Sequence, residues 1–379
     1  MDVVGNGRIV LKILALNWRD IKNPEAGGAE VHLHEILRHL VQGGHEAAMI
    51  GSAWPGCARE DEVDGVRIFR SGRWYDANFS IPLFAKRLLK KEKFDIIIED
   101  INKLPFFMPL YTSVPVVPVI PHLFGTAAYL ETNPLIATYV VLLEKFIPVV
   151  FKKNHFMVIS PSTKEDLIRR GIDAERVRVI LCGLDHERYR FLNLERFDRP
   201  TIVHLGRLRK YKSVDVAIRS MPLIRESLSE ARLVIIGDGP YRRELESLTH
   251  RLALDDAVEF RGYMGVEELV GFMNRAHLLV NPSPKEGWGL TVVEANACGL
   301  PVVASNRPGL KDSVIDGETG FLVPYRNERA FAEASLKILK DANLWNGMSA
   351  KALNRVKELT WERCAAESEE FLLEVIENG

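Results

Sequence analysis

The sequence predicts two α/β units in series, and three observations carry that expectation. Short apolar runs alternate with amphipathic helical stretches, the pattern restarts near residue 201, and a charged, aperiodic stretch separates the two series. Runs that are apolar throughout, rather than at alternate positions, suit parallel strands covered on both faces by crossover helices. At 379 residues the chain is also too long for one ordinary core.

In the first half the expected strands lie at 9–16, 47–50, 66–69, 96–98, 116–120 and 157–159. In the second half they lie at 201–205, 233–236, 258–260, 278–280 and 301–304. The linker is expected at 185–199 (DHERYRFLNLERFDR), which has no helical or strand period. This gives domains over 1–190 and 191–360, followed by a helix at 361–379 whose stripe is Phe371, Leu372, Val375 and Ile376.

Two segments are tested for other roles. The run 9–16 follows Asp2 and contains Lys12, so it is expected to be a buried strand and not a secretory signal. Residues 104–130 contain no Asp, Glu, Lys or Arg, enough to span a bilayer as a helix. Pro105, Pro109, Pro115, Pro118 and Pro121 would break such a helix, so a strand between proline-bounded loops is expected.

Composition narrows the function classes. With 47% hydrophobic and 27% charged residues, disordered and collagen-like chains are excluded. Fifty basic residues against 51 acidic ones give a formal charge of −1, which argues against a nucleic-acid partner held by a basic surface. Cys57, Cys182, Cys298 and Cys364 form no CxxC or Cys/His cluster, so no metal site is expected and a reducing cytoplasm suits them.

Ligands of open parallel sheets bind beyond the carboxyl ends of the strands, so candidate residues are sought there. Gly27 and Gly28 precede a helix whose apolar face is Leu33, Ile36, Leu37, Leu40 and Val41 and which stops at Gly43-Gly44. They make either a turn or an anion approach to free N–H groups. His122 follows the run 116–120 and reads equally as a structural or a functional histidine. In the second half, Gly206 is followed by Arg207 and Lys212, a glycine and cations that suit a diphosphate, while Arg209 and Lys210 read as solvated. In 282–295 (PSPKEGWGLTVVEA), Glu286 precedes Gly287 and Gly289, which open a helix carrying Glu294. The glycines admit a phosphate to backbone N–H groups, and flanking carboxylates can accept hydrogen bonds from sugar hydroxyls.

Taken together, these residues resemble the retaining, nucleotide-sugar-dependent glycosyltransferases of family 4. The strongest element is an E-x7-E motif from Glu286 to Glu294. Supporting it are GRLRKYK from Gly206, IGDGP from Ile236, FRGYM from Phe260, GGAEVHLHEILRHLVQGGHE from Gly27 and SPSTKEDL from Ser160. The resemblance implies a GT-B fold, that is, two Rossmann-like domains with a cleft between them and a C-terminal helix crossing back to the first. It implies that Arg207 and Lys212 bind the donor diphosphate, Glu294 the ribose and Glu286 the transferred sugar. Gly206 and residues Gly287, Trp288, Gly289, Leu290 and Thr291 would line sugar and phosphate. Gly262, Tyr263 and Met264 would border the base, Gly27 and Gly28 the diphosphate, and His122 the sugar. Departures from the family pattern are Leu123 after His122, Trp288 in place of Phe, and Cys182-Gly183 in place of Asn-Gly.

The activity so implied is metal-independent, front-face transfer of a hexosyl group from a UDP- or GDP-sugar, with no cofactor. The sequence contains no Asp-x-Asp. The acceptor is a small molecule, a glycan or a lipid-linked species. A nucleotide-sugar 2-epimerase and a non-catalytic nucleotide-sugar binder share the architecture. The run from Lys86 to Lys93 (KRLLKKEK), with 146–153 (FIPVVFKK) in the same domain, reads either as solvated faces or as peripheral contact with an anionic leaflet.

Overall fold

A computed structural model describes residues 2–4 and 8–378. Internal contacts divide the chain into two compact units, residues up to Gly183 together with Trp361 onward, and Leu184–Thr360.

The first unit contains β1 (Asp2–Val4), β2 (Arg8–Val10), β3 (Lys12–Leu16), β4 (Glu46–Gly51), β5 (Glu60–Val63), β6 (Val66–Arg70), β7 (Ile96–Asp100), β8 (Val116–Ile120), β9 (Phe156–Val158) and β10 (Val177–Val179). Its main sheet has the order β10-β9-β8-β7-β3-β4-β6-β5. All neighbours are parallel except β5, which runs antiparallel on β6 at the edge. The expected strand 9–16 is interrupted at Leu11, whose amide donates to His45 Nδ1 at 3.0 Å. Its first part instead pairs with β1 in a separate antiparallel ribbon. Strand β5 (EDEV) has no apolar run to announce it. It forms because Asp64 and Gly65, at φ +51° and +79°, make the two-residue turn that suits a right-twisted hairpin.

The second unit contains β11 (Thr201–Leu205), β12 (Arg232–Ile236), β13 (Val258–Gly262), β14 (Leu278–Asn281), β15 (Val302–Ser305) and β16 (Gly320–Val323), all parallel, in the order β13-β12-β11-β14-β15-β16. Strand order therefore reverses between β11 and β14 here, and between β3 and β7 in the first unit. The crevice beyond the carboxyl ends at such a reversal is where this topology binds ligands.

Several sequence expectations are adjusted. The stretch 185–199 is not a free linker: the division falls at Gly183/Leu184, and Tyr189 and Phe197 pack against the second unit's core. The helix carrying Lys86 and Arg87 ends at Leu88, so the rest of the basic run to Lys93 is turn and not helix face. Helix Trp361–Glu377 belongs to the first unit and packs on helix Gly28–Gln42, with Phe371, Leu372 and Val375 buried and Ile376 half-buried. Between residues 104 and 130 lies β8 among loops. Among the described residues no helix is long and apolar enough to cross a membrane.

The loop that leaves β7 in that charge-free stretch is held by one carboxylate. Glu99, fully buried, accepts from the backbone N–H groups of Phe106, Phe107 and Met108 at 2.7, 2.9 and 2.9 Å. Burial pushes its pKa up to about 7, against the lowering effect of those three bonds. Removing the acceptor strands two buried donors and one half-buried one, each buried one costing about 1–3 kcal/mol. Glu99→Ala is therefore expected to lower the unfolding free energy by about 3 kcal/mol or more, read as a fall in urea midpoint.

Candidate functional site

The site candidates of the second unit converge at the β11/β14 reversal. Beyond β11 the chain passes Gly206, an exposed Arg207 and a buried Leu208, and then makes a short turn over Lys210–Lys212. Ser213, at φ +53°, opens helix Val214–Arg225. Beyond β14 the loop carries Glu286, and Gly289, at φ +84°, precedes helix Leu290–Ala297. A positive φ costs glycine little and other residues more, so the glycine starts the helix at that point.

Lys212 and Glu286 join the two loops. Lys212 Nζ lies 2.5 Å from Glu286 Oε1, with side-chain exposures of 17% and 14%. Burial alone would depress the ammonium pKa, but Glu286 and Tyr211 outweigh it and the pKa is raised, so Lys212 stays charged. His204, buried on β11, bonds through Nδ1 to the Val280 carbonyl at 3.2 Å. Desolvation lowers its pKa to about 4, which keeps it neutral beneath this pair.

The loops are also locked by backbone contact. Gly237, at φ +125°, passes so close to Gly206 that a Cβ there would lie 2.0 Å from the Gly206 carbonyl oxygen. At Gly239 a Cβ would lie 2.4 Å from the Leu208 oxygen, and Leu208 N donates to Asp238 O at 2.9 Å. The IGDGP stretch thus supports the Gly206–Leu208 loop from below. Gly309, at φ +83°, plays the same part for Glu286: a Cβ there would fall 2.2 Å from the Glu286 carbonyl oxygen, and Glu286 N donates to Pro308 O at 3.1 Å.

Glu294 sits on the second turn of helix Leu290–Ala297. Burial raises its pKa to about 7, opposed by a hydrogen bond from Tyr189. Tyr189 comes from the stretch expected to be a linker, so sequence reasoning missed it, and only its aromatic character within a charged run marks it. Thr291 Oγ1 accepts from Asn281 Nδ2 at 3.4 Å. Leu290 is half-buried, Tyr263 is 86% exposed beyond β13, and Met264 beside it is buried. Trp288 is buried: its indole lies 5.9 Å from the Arg355 guanidinium, and among the described residues its N–H meets no hydrogen-bond acceptor.

Gly27, Gly28 and His122 belong to the first unit. The Gly27 amide is engaged, donating to Glu30 Oε2 at 2.7 Å. Glu30 also accepts from Asn102 at 3.3 Å; Asn102 bonds Asn17 at 2.9 Å, and Asn17 bonds the fully buried Asp100 at 3.2 Å. Desolvation, with Glu30 adding to it, pushes the Asp100 pKa well up. This network sits at the β3/β7 reversal, and its side chains were not singled out from sequence. His122 is half-buried and edge-on to Phe124 at 5.1 Å, on a loop whose Phe124 and Gly125 amides donate to Glu144 at 2.6 and 2.9 Å.

Two family models cover most of the chain. Residues 26–188 match Glycosyltransferase Family 4, and residues 185–355 match Glycosyl transferases group 1. The chain belongs to the GT-B glycosyltransferases of this type. It is 31% identical over 220 residues to a GDP-mannose-dependent alpha-(1-6)-phosphatidylinositol monomannoside mannosyltransferase of Mycobacterium tuberculosis (strain CDC 1551 / Oshkosh), covering 56% of each protein. The chain thus spans about half the length of the curated relatives it matches. In fold it resembles a sucrose-phosphate synthase of Thermosynechococcus elongatus at TM-score 0.81 and 22% identity, covering 97% of this chain and 100% of that one. It also resembles Anabaena Alr3699/HepE, solved in complex with UDP, at TM-score 0.75 and 18% identity over 96% and 100%.

The Glu294 environment gives a pH signature. A carboxyl whose pKa rises on folding from 4.5 to about 7 makes the native state bind more protons than the unfolded chain between those values, so stability falls as pH rises through that window. Glu294→Gln removes the charge and leaves an acceptor for Tyr189. Its melting temperature relative to the parent is expected to rise from pH 5 to pH 8, and a difference independent of pH would contradict this.

Proposed function

We propose that the chain transfers a hexosyl group from a UDP- or GDP-sugar to an acceptor hydroxyl with retention of anomeric configuration, without a metal or other cofactor. The observation that carries this reading is the Lys212–Glu286 pair, which sets a fixed cation and a carboxylate beside a glycine-opened helix at the strand-order reversal. Lys212 and Arg207 take the diphosphate, as fixed cations aimed at developing negative charge. Glu286 takes the hydroxyls of the transferred sugar and Glu294 those of the ribose. The backbone of Gly206 and of Gly287, Trp288, Gly289, Leu290 and Thr291 lines phosphate and sugar, and Gly262, Tyr263 and Met264 border the base. From the first unit, Gly28 and, once its amide is released from Glu30, Gly27 approach the diphosphate, and His122 approaches the sugar.

In the reaction the anomeric C–O bond to the β-phosphate breaks and its electron pair leaves with the nucleoside diphosphate. The acceptor oxygen bonds to the anomeric carbon from the same face, and its proton passes to the departing phosphate oxygen. Glu286 stays on sugar hydroxyls, so no protein nucleophile is formed. Support for the donor class comes from the mycobacterial relative, whose name specifies GDP-mannose, and from the Anabaena structure, which holds UDP.

Lys212→Ala is expected to lower kcat/KM by about 100-fold or more, the scale for losing one charge-stabilising group. Glu294→Ala is expected to weaken donor binding, with circular dichroism unchanged for both. Full activity in both variants would overturn the site. Incubation with donor and no acceptor separates transfer from the 2-epimerase reading, since an epimerase would make a new nucleotide sugar. Binding without any turnover would leave only a nucleotide-sugar binder.

The proposal extends to a cytoplasmic enzyme that rests on an anionic leaflet and takes a lipid-linked acceptor. Helix Pro134–Val150 exposes Leu135, Tyr139, Leu142, Phe146 and Val149, which recur three or four residues apart on one face. Its one acid, Glu144, is buried, while Lys145, Lys152 and Lys153 are exposed. An apolar face with exposed Lys145 on the same helix and Lys152 and Lys153 just after it is complementary to anionic lipid. Lys86, Arg87 and the basic turn to Lys93 add to the same charge. Vesicles containing phosphatidylglycerol are expected to sediment the protein at low salt and release it at high salt. Leu142→Glu with Phe146→Glu is expected to cut binding at least tenfold. Absence of salt-sensitive binding, or self-association in its place, would end this part of the reading.

A further inference from the structure

We infer that Tyr325, in the loop beyond β16, is a positioning residue of the candidate donor site, fixing the spacing of Lys212 and Glu286 through its hydroxyl and its ring. The inference rests on the reading above that Lys212 meets the donor diphosphate. Tyr325 acts on both charged residues through their chain neighbours.

On the lysine side the link is a chain of hydrogen bonds. Ser213 directly follows Lys212, is fully buried and has φ +53°. Elsewhere in this site a positive φ falls on glycine, at Gly206, Gly289 and Gly309. A residue with a side chain is strained in that conformation and keeps it where the surroundings fix it. Here the hydroxyl does the fixing. Ser213 Oγ donates its one proton to the Tyr211 carbonyl at 3.2 Å, so toward the Tyr325 hydroxyl, 3.1 Å away, it is the acceptor. The Tyr325 oxygen in turn accepts from Arg326 Nε at 3.2 Å.

The bonds therefore run one way, from Arg326 to Tyr325 to Ser213 to the Tyr211 carbonyl, and end on the short turn Lys210–Lys212. Bonds aligned in series polarise one another. Among the described residues six non-glycine positions have a positive φ, and two of them, Ser213 and Arg326 at +57°, meet on this one hydroxyl. Two strained residues 113 positions apart in the chain are thus held by the same contact.

On the glutamate side the link is the ring. The Arg326 and Arg307 guanidinium groups lie 5.6 and 5.1 Å from its centroid. Arg307 belongs to the loop beyond β15 and is followed by Pro308 and Gly309, against which the Glu286 backbone rests. Tyr325 thereby connects the backbone under Lys212 with the backbone under Glu286. A lysine's flexible four-carbon stem does not fix its own charge. Lys212 is held at its tip by Glu286 and at its base by the Ser213 clamp. When a diphosphate draws Nζ away from Glu286, the clamped base still aims it.

Tyr325→Phe keeps the ring and removes only the hydroxyl. The test is titration calorimetry on the full chain with UDP, UMP, GDP and GMP, reading how many times more tightly a diphosphate binds than the monophosphate of the same base. Lys212→Ala is expected to cut that preference by about tenfold or more. Tyr325→Phe is expected to cut it by about three- to tenfold, with monophosphate affinity unchanged. In the Lys212→Ala background Tyr325→Phe is expected to have no further effect, because its action passes through the lysine. Ser213→Ala breaks the same chain one link nearer and is expected to reproduce Tyr325→Phe, the double variant losing no more than either single one. An unchanged preference in Tyr325→Phe, an equal loss for mono- and diphosphate, or an effect that persists in the Lys212→Ala background would each overturn the proposal. A parent that prefers neither diphosphate, or a Lys212→Ala variant that keeps the preference, would instead sink the donor reading and the proposal with it.

Discussion

The ion pair between Lys212 and Glu286 is the constraint around which the candidate donor site is arranged. It ties the loop beyond β11 to the loop beyond β14, the two neighbours between which strand order reverses. A pair this shielded from solvent gains from mutual attraction but pays in lost hydration, so it is weak evidence for a stabilising role. Its value here is positional, because each charge fixes the other where a ligand with a diphosphate and a polyol would need both. The surrounding glycines serve the same end: Gly237, Gly239 and Gly309 allow backbone to pass against backbone where any side chain would push the two loops apart.

The first unit solves a related problem with carboxylates. Glu99 gathers three amides of one loop, Glu144 gathers two of another, and Glu30 caps the helix that starts at Gly28. In each case a buried or nearly buried acid supplies acceptors that an irregular segment could not find in a strand or helix ladder. These acids hold the loops beyond β7 and β8 and the start of the helix beyond β3.

Much of this was legible in the sequence. Apolar runs located most strands of both sheets, because strands covered on both faces must be apolar throughout. Glu286, Glu294, Lys212 and the glycines around them were singled out by their residue types at strand ends and by the family resemblance, the spacing of the two glutamates alone carrying little weight. What escaped has a physical reason in each case. Strand β5 is charged at an edge, and β10 and β16, also at edges, are only partly buried and need not be apolar throughout. Tyr189 lay in a stretch whose charge suggested a linker, although two aromatics there were anchoring it to a core. That the Trp288 indole is buried was likewise not legible, because its direction depends on the turn at Gly289.

Sequence alone therefore determined the α/β class, the division into two units and the residue types of the donor-site candidate, because hydrophobic period and local chemistry are written one residue at a time. Tertiary structure decided which of those residues meet. The Lys212–Glu286 contact joins positions 74 residues apart, and the pairing of Tyr189 with Glu294 likewise arises only when separate stretches are folded together. Burial, which raises the Glu294 pKa and shields the Asp20–Arg70 pair from solvent, is a property of all the surrounding atoms and is carried by no single stretch of chain.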